Sequence, residues 1–113
     1  GSLVGSFSLA SQVISPNGDG VNDELGMEYE VLAVEGEARI TVDIFDLRGN
    51  RVRRLFDMDG QSGVYRSDNQ IGLRWDGTDG DGGRIAPGLY LIQLNVEGDA
   101  RSSASTRVLG VAY

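Results

Sequence analysis

The stretch Ile40-Thr41-Val42-Asp43-Ile44-Phe45-Asp46-Leu47-Arg48-Gly49-Asn50 decides the fold. Ile40, Val42 and Ile44 recur at every second residue, with Thr41 and Asp43 between them. Successive side chains of an extended chain point to opposite faces, so this rhythm buries one side of a strand and wets the other. β-branched residues dominate the run, and their stiff side chains suit a pleated surface. Asp46 to Asn50 then reads as a hairpin turn, because Gly49 and Asn50 can supply positive φ. Val52 to Phe56 returns alongside.

The same period recurs on both sides. Leu25 to Val34 sets Leu25, Met27, Tyr29 and Val31 against Gly26, Glu28 and Glu30, a half-buried strand with its acids toward water. Ile71, Leu73 and Trp75 alternate with Gly72 and Arg74. Tyr90, Ile92, Leu94 and Val96 share one face of Leu89 to Val96, which opens at Pro87-Gly88. An earlier stretch, Phe7 to Ile14, ends at the turn cluster Ser15-Pro16-Asn17-Gly18-Asp19-Gly20. A last one runs from Thr106 to Tyr113. Between these, Glu35-Gly36-Glu37 and Glu97-Gly98-Asp99 read as turns, and Asp57 to Asn69 reads as a polar loop. Asp76 to Gly83 holds too much glycine for regular structure. The tally is about seven strands and no helix, the pattern of an antiparallel immunoglobulin-like (fibronectin III-like) β-sandwich. In that frame Trp75, in phase with Leu73 and Ile71, is a core anchor rather than a sugar-stacking platform.

Length agrees with this reading. The 113 residues suit one domain, 3–113, behind a Gly1-Ser2 that has the look of a cloning scar. Ten basic residues, all arginine, stand against 17 acidic ones, a net charge of −7. Such a surface repels nucleic-acid phosphates and anionic membranes. No apolar run reaches the roughly 20 residues of a membrane-spanning helix, so membrane insertion is not expected. The arginines are scattered along the chain and read as composition bias. Cysteine and histidine are absent, which removes the best nucleophile and the commonest general base. A small sandwich also rarely builds the cleft that a carboxylate pair such as Asp79 and Asp81 would need. No enzyme is expected.

The sharpest chemical candidate is Asn17-Gly18-Asp19-Gly20-Val21-Asn22-Asp23. Asn17, Asp19 and Asp23, with a carbonyl near Val21, place oxygen donors in one glycine-rich loop, as a calcium ion would require. Calcium takes six to eight oxygens, so a second loop must contribute. In an up-and-down tracing Asp46 and Asp76 to Asp81 fall at the same end of the sandwich, and Asp76, Asp79 and Asp81 form a second, weaker candidate. The competing reading is that Asn, Asp and Gly only make tight turns through side-chain bonds to backbone N–H groups. Tyr65 and Tyr113 are candidates for exposure, but two separate rings make no binding face.

Two segments resemble known families. Ile40 to Leu55, followed by Leu73-Arg74-Trp75-Asp76-Gly77 and Ile85-Ala86-Pro87-Gly88-Leu89-Tyr90, resembles the Ig-like domain of the flagellar hook-capping protein. That type also occurs at the C-termini of exported bacterial proteins, including cargo of the type IX secretion system. Ser15 to Asp23 resembles the opening of gliding-motility-associated C-terminal domains. The resemblance implies a non-catalytic C-terminal module of a larger, secreted or surface-attached bacterial protein, acting as spacer, attachment element or sorting signal. Its partners would be the parent polypeptide, the secretion machinery or a cell-surface polymer. Two alternatives stand beside it: a calcium-dependent module binding glycan or surface polymer, and an assembly scaffold like the hook cap.

Overall fold

A computed structural model describes residues 2–67 and 73–113. Among them are nine strands and no helix: β1 (Val4–Leu9), β2 (Val13–Ile14), β3 (Leu25–Val31), β4 (Ala38–Asp46), β5 (Arg51–Gly60), β6 (Gly63–Arg66), β7 (Arg74–Trp75), β8 (Gly88–Glu97) and β9 (Ser102–Val111). One sheet runs β1-β3-β6, with β7 pairing the start of β3; the other runs β2-β9-β8-β4-β5. The two layers close on one apolar interior, so the sandwich expected from the sequence is the fold observed.

Nine strands replace about seven for identifiable reasons. Phe7 to Ile14 is not one strand but two, in different sheets. Ala10 donates its N–H to the Gly26 carbonyl, while the Gln12 carbonyl accepts from Gly110, so the chain changes layers at Ser11. The Ser11 hydroxyl sits in that step, donating to the Val13 carbonyl at 2.6 Å. Asp57 to Gly60, expected as loop, extends β5 against β4, and Gly63 to Arg66 adds β6 to β3. The last strand begins at Ser102, not Thr106. These segments lie at sheet edges, where polar side chains face water and the alternating apolar signal fades. The Leu25 to Val34 strand ends at Val31. Ile71 and Asn69 lie outside the described residues.

The predicted inward faces are buried. Ile40, Val42 and Ile44 oppose Val96, Leu94 and Ile92 across β4 and β8, and all six are inaccessible to solvent. Trp75 is 0% exposed. Its indole stands edge-on to Tyr90, centroids 6.3 Å apart, and its Nε1–H donates to the Thr78 carbonyl at 2.8 Å. Tyr29 stacks on Tyr65 at 5.0 Å. The Tyr29 hydroxyl is buried without a partner among the described residues, and burial pushes its pKa up.

The outer face of β4 and β5 departs from expectation. Asp43, placed by its phase toward water, is only 3% exposed, because Arg54 covers it with a two-pronged contact at 2.9 and 3.2 Å. Arg51 approaches the same carboxylate at 3.9 Å. Asp57 lies between Arg39 at 2.9 Å and Arg54 at 3.7 Å. Arginines scattered in sequence are therefore grouped in space around two aspartates.

Trp75 joins core and loop, so Trp75→Ala should cost about 3–5 kcal/mol by lost burial and a residual cavity. The urea midpoint measures it, and a loss under about 1 kcal/mol would show that the ring is not the anchor.

Candidate functional site: the acidic loop pole

Strand register decides which loops meet. Ile14 pairs with Val111, Val111 with Gly88, Tyr90 with Asp46, and Leu25 with Trp75. The loops after β2, β4 and β7 therefore share one pole of the sandwich, as the sequence predicts. Contacts lock them together. Gly80 donates its N–H to the Val52 carbonyl, and Ile85 donates to the Gly77 carbonyl. Arg84 reaches the Pro16 carbonyl at 3.0 Å, and its guanidinium lies 4.7 Å from the centre of the Tyr113 ring. Gly77 has φ of +80°, and a Cβ there would meet Pro16 Cγ at 2.7 Å, so only glycine lets these two loops touch.

Each acidic loop is closed by its own backbone. Asn17 Oδ1 accepts from the Asp19 N–H, and Asp19 Oδ1 accepts from Val21. Asp23 accepts from Gly18 at 3.0 Å and from Gly20 at 2.6 Å, one amide on each carboxylate oxygen. Val21 contributes an exposed side chain, 64% accessible. Positive φ at Gly18, Gly20 and Asn22 permits this curl. Asp79 Oδ1 accepts from Asp81 and Gly83, both at 2.9 Å. Asp46 does the same in the β4–β5 hairpin, where amides of Asn50 and Arg48 hold its carboxyl below the usual carboxylate range. Asp76 accepts the Thr78 hydroxyl at 2.6 Å and faces Arg53 at 3.2 Å. That hydroxyl, more than the arginine, lowers the Asp76 pKa.

Together these loops border a shallow cleft of about 520 Å³, with Asp46, Asp79 and Asp81 on one side and Arg84 and Tyr90 on another. Asn17, Asp19 and Asp23 do not line it. Among the described residues, no three acidic side chains are grouped as a metal ion would need. The oxygens of Asn17, Asp19 and Asp23 accept turn-closing N–H groups, the short side-chain-to-backbone bonds that Asx residues make.

Sequence reasoning missed the cations of this pole. Arg53 and Arg84 stitch the acidic loops to the sandwich, yet nothing in their spacing announces it, since both partners are distant in sequence. Of the two candidate exposed tyrosines, Tyr65 lies against Tyr29. Tyr113 donates its hydroxyl to the Ile85 carbonyl at 2.8 Å.

Comparison with known proteins gives two matches. A family model described as the CHU_C type IX secretion signal domain matches residues 8–109. Among solved structures, the chain is similar to dimeric latent PorU from Porphyromonas gingivalis, at 18% identity and a TM-score of 0.63. The match covers 94% of this chain and 9% of that one, and identity this low shows the fold alone. No curated protein sequence matches.

The turn chemistry makes a direct prediction. Asp23→Ala, which strands the Gly18 and Gly20 amides, should lower stability by about 1 kcal/mol equally in calcium and in EDTA. Melting curves of the parent should coincide in the two buffers. A calcium-dependent rise in melting temperature that Asp23→Ala abolishes would contradict this account of the loop.

Proposed function

The chain belongs to the CHU_C type IX secretion signal domain family, and on that premise we propose that it is the C-terminal sorting module of a larger exported bacterial polypeptide. Its partner is the type IX secretion machinery, and its destination is the cell surface or the medium. The observation that carries this reading is the extent of the family match: residues 8–109 take in β2 to β8 whole, most of β9 and the end of β1. What is matched is a folded two-layer body, not a short tail.

The chemistry of the surface supports a role without catalysis. The sequence has no histidine and no cysteine, and the acidic pole is shallow, with its carboxylates tied to amides and arginines. Recognition therefore falls to strand edges and loops. No helix among the described residues is long and apolar enough to cross a membrane. A glycan-binding reading draws little support, since Trp75 is buried and Tyr65 is stacked on Tyr29, which leaves Tyr113 as a single exposed ring among these three. A hook-cap scaffold draws no support from the family match.

A reporter with an export leader, fused at its C-terminus to this chain, tests the proposal in a bacterium that has the type IX system. The fusion should reach the surface or medium there, and should stay in the periplasm when the outer-membrane translocon is deleted. Equal distribution of the reporter with and without the domain would overturn the reading.

A further inference from the structure

We infer that the open edge of β9, from Ser102 to Val108, is a strand-addition site for an extended, acid-bearing segment of a second protein. The inference follows from edge geometry and stands apart from the sorting role. β9 pairs with β8 over ten consecutive residues without a register shift. On its other side β2 covers only Gly110 and Val111. Among the described residues no strand pairs with Ser102 to Leu109 on that side. Gly110 donates its N–H to Gln12 and Ala112 donates to Ile14, so even-numbered residues turn their backbone groups toward the open side. Ala104, Thr106 and Val108 thus present a row of edge donors and acceptors, and all three are exposed.

The other edges are guarded. β5 carries Arg51, Arg53, Arg54, Asp57 and Asp59, and its pairing with β4 is twice shifted. The pairing of β1 with β3 shifts between Val4 and Ser6, and β6 is four residues long. Charges, bulges and shortness are the usual means of blunting an edge. β9 is long and regular, with small uncharged side chains from Ser102 to Thr106 and Arg107 as its one charge.

Charge and shape select the occupant. Beside the edge lies a cleft of about 640 Å³, lined by Phe7, Leu9, Val13, Leu89 and Val108 among others. The one charged side chain lining it is Arg107, whose guanidinium lies 5.6 Å from the centre of the Phe7 ring. Its guanidinium donates to the Ser105 hydroxyl and the Thr106 carbonyl, and among the described residues no carboxylate reaches it. An added strand would bond through its backbone to β9 and send alternate side chains to the cleft and to the outer face. An acidic side chain on the cleft side would meet Arg107. Apolar ones at the alternate positions would cover Val13, Leu89 and Val108, cleft-lining residues that are 47%, 54% and 54% exposed. A second copy of this chain fits less well, since its own β9 would bring arginine and no acid, and its net charge of −7 repels its like.

The test titrates the whole isotope-labelled chain with a short synthetic peptide alternating valine, threonine and glutamate, and with its lysine-for-glutamate counterpart. Amide shifts and slowed exchange should appear at Ala104, Thr106 and Val108. The lysine peptide should bind about tenfold more weakly or worse, the scale of a lost charge-assisted bond. Thr106→Pro removes an outward N–H that no strand uses and should abolish binding while leaving the chain folded. Arg107→Glu serves as the second variant and should invert the peptide preference. No binding, equal binding of both peptides, or shifts confined to β5 would overturn the inference. A mass that rises toward a dimer in sedimentation, with protection of the β9 amides in the absence of peptide, would assign the edge to a second copy and refute it as well.

Discussion

The burial of Trp75 between the sheets is the constraint on which the rest depends. The indole fills the interior beside Tyr90, and its N–H must find an acceptor there, because an unpaired buried donor is costly. The acceptor is the Thr78 carbonyl, three residues along the chain. That one bond obliges the glycine-rich segment after β7 to curl back over the core. From there Gly77 meets Pro16, Gly80 bonds Val52, and Arg84 reaches the loop after β2. The acidic pole is thus assembled from the interior outward, and its carboxylates serve the turns that the curl demands.

The opposite design governs the strands. One outer flank, β4 with β5, is armoured by guanidinium–carboxylate contacts around Asp43 and Asp57. The exposed pairs at Asp57 add little stability each. Their effect is to keep the β5 edge charged and solitary. The opposite edge of the same sheet, β9, is bare over most of its length. A single module therefore has one edge built to refuse partners and one left open, an asymmetry that suits a body to be gripped by other proteins rather than to act on a small molecule.

The period-two signal made the central strands legible. Ile40 to Ile44 and Tyr90 to Val96 needed only their alternation, because both are interior strands with one apolar face. The edges were illegible for the same physical reason. Ser102 to Thr106 and Asp57 to Gly60 lie on edge strands and are mostly small or polar, so their composition looks like loop. Asp43 misled differently: its phase is outward, but long arginine side chains from the next strand roof it over. At the loop pole the sequence located the residues correctly and left their chemistry open. Asn17, Asp19 and Asp23 have the same spacing whether they clasp a cation or their own amides, and their bonds to the N–H groups of Gly18, Gly20 and Val21 become visible only in the folded loop.

The account rests on the indole being sealed inside and bonded to Thr78. Hydrogen exchange at the Trp75 Nε1–H tests this most directly, since the chain has one tryptophan and its signal stands alone. Exchange as slow as that of the central β4 and β8 amides, opening only with global unfolding, is the predicted result. Exchange at the rate of a loop amide would contradict it.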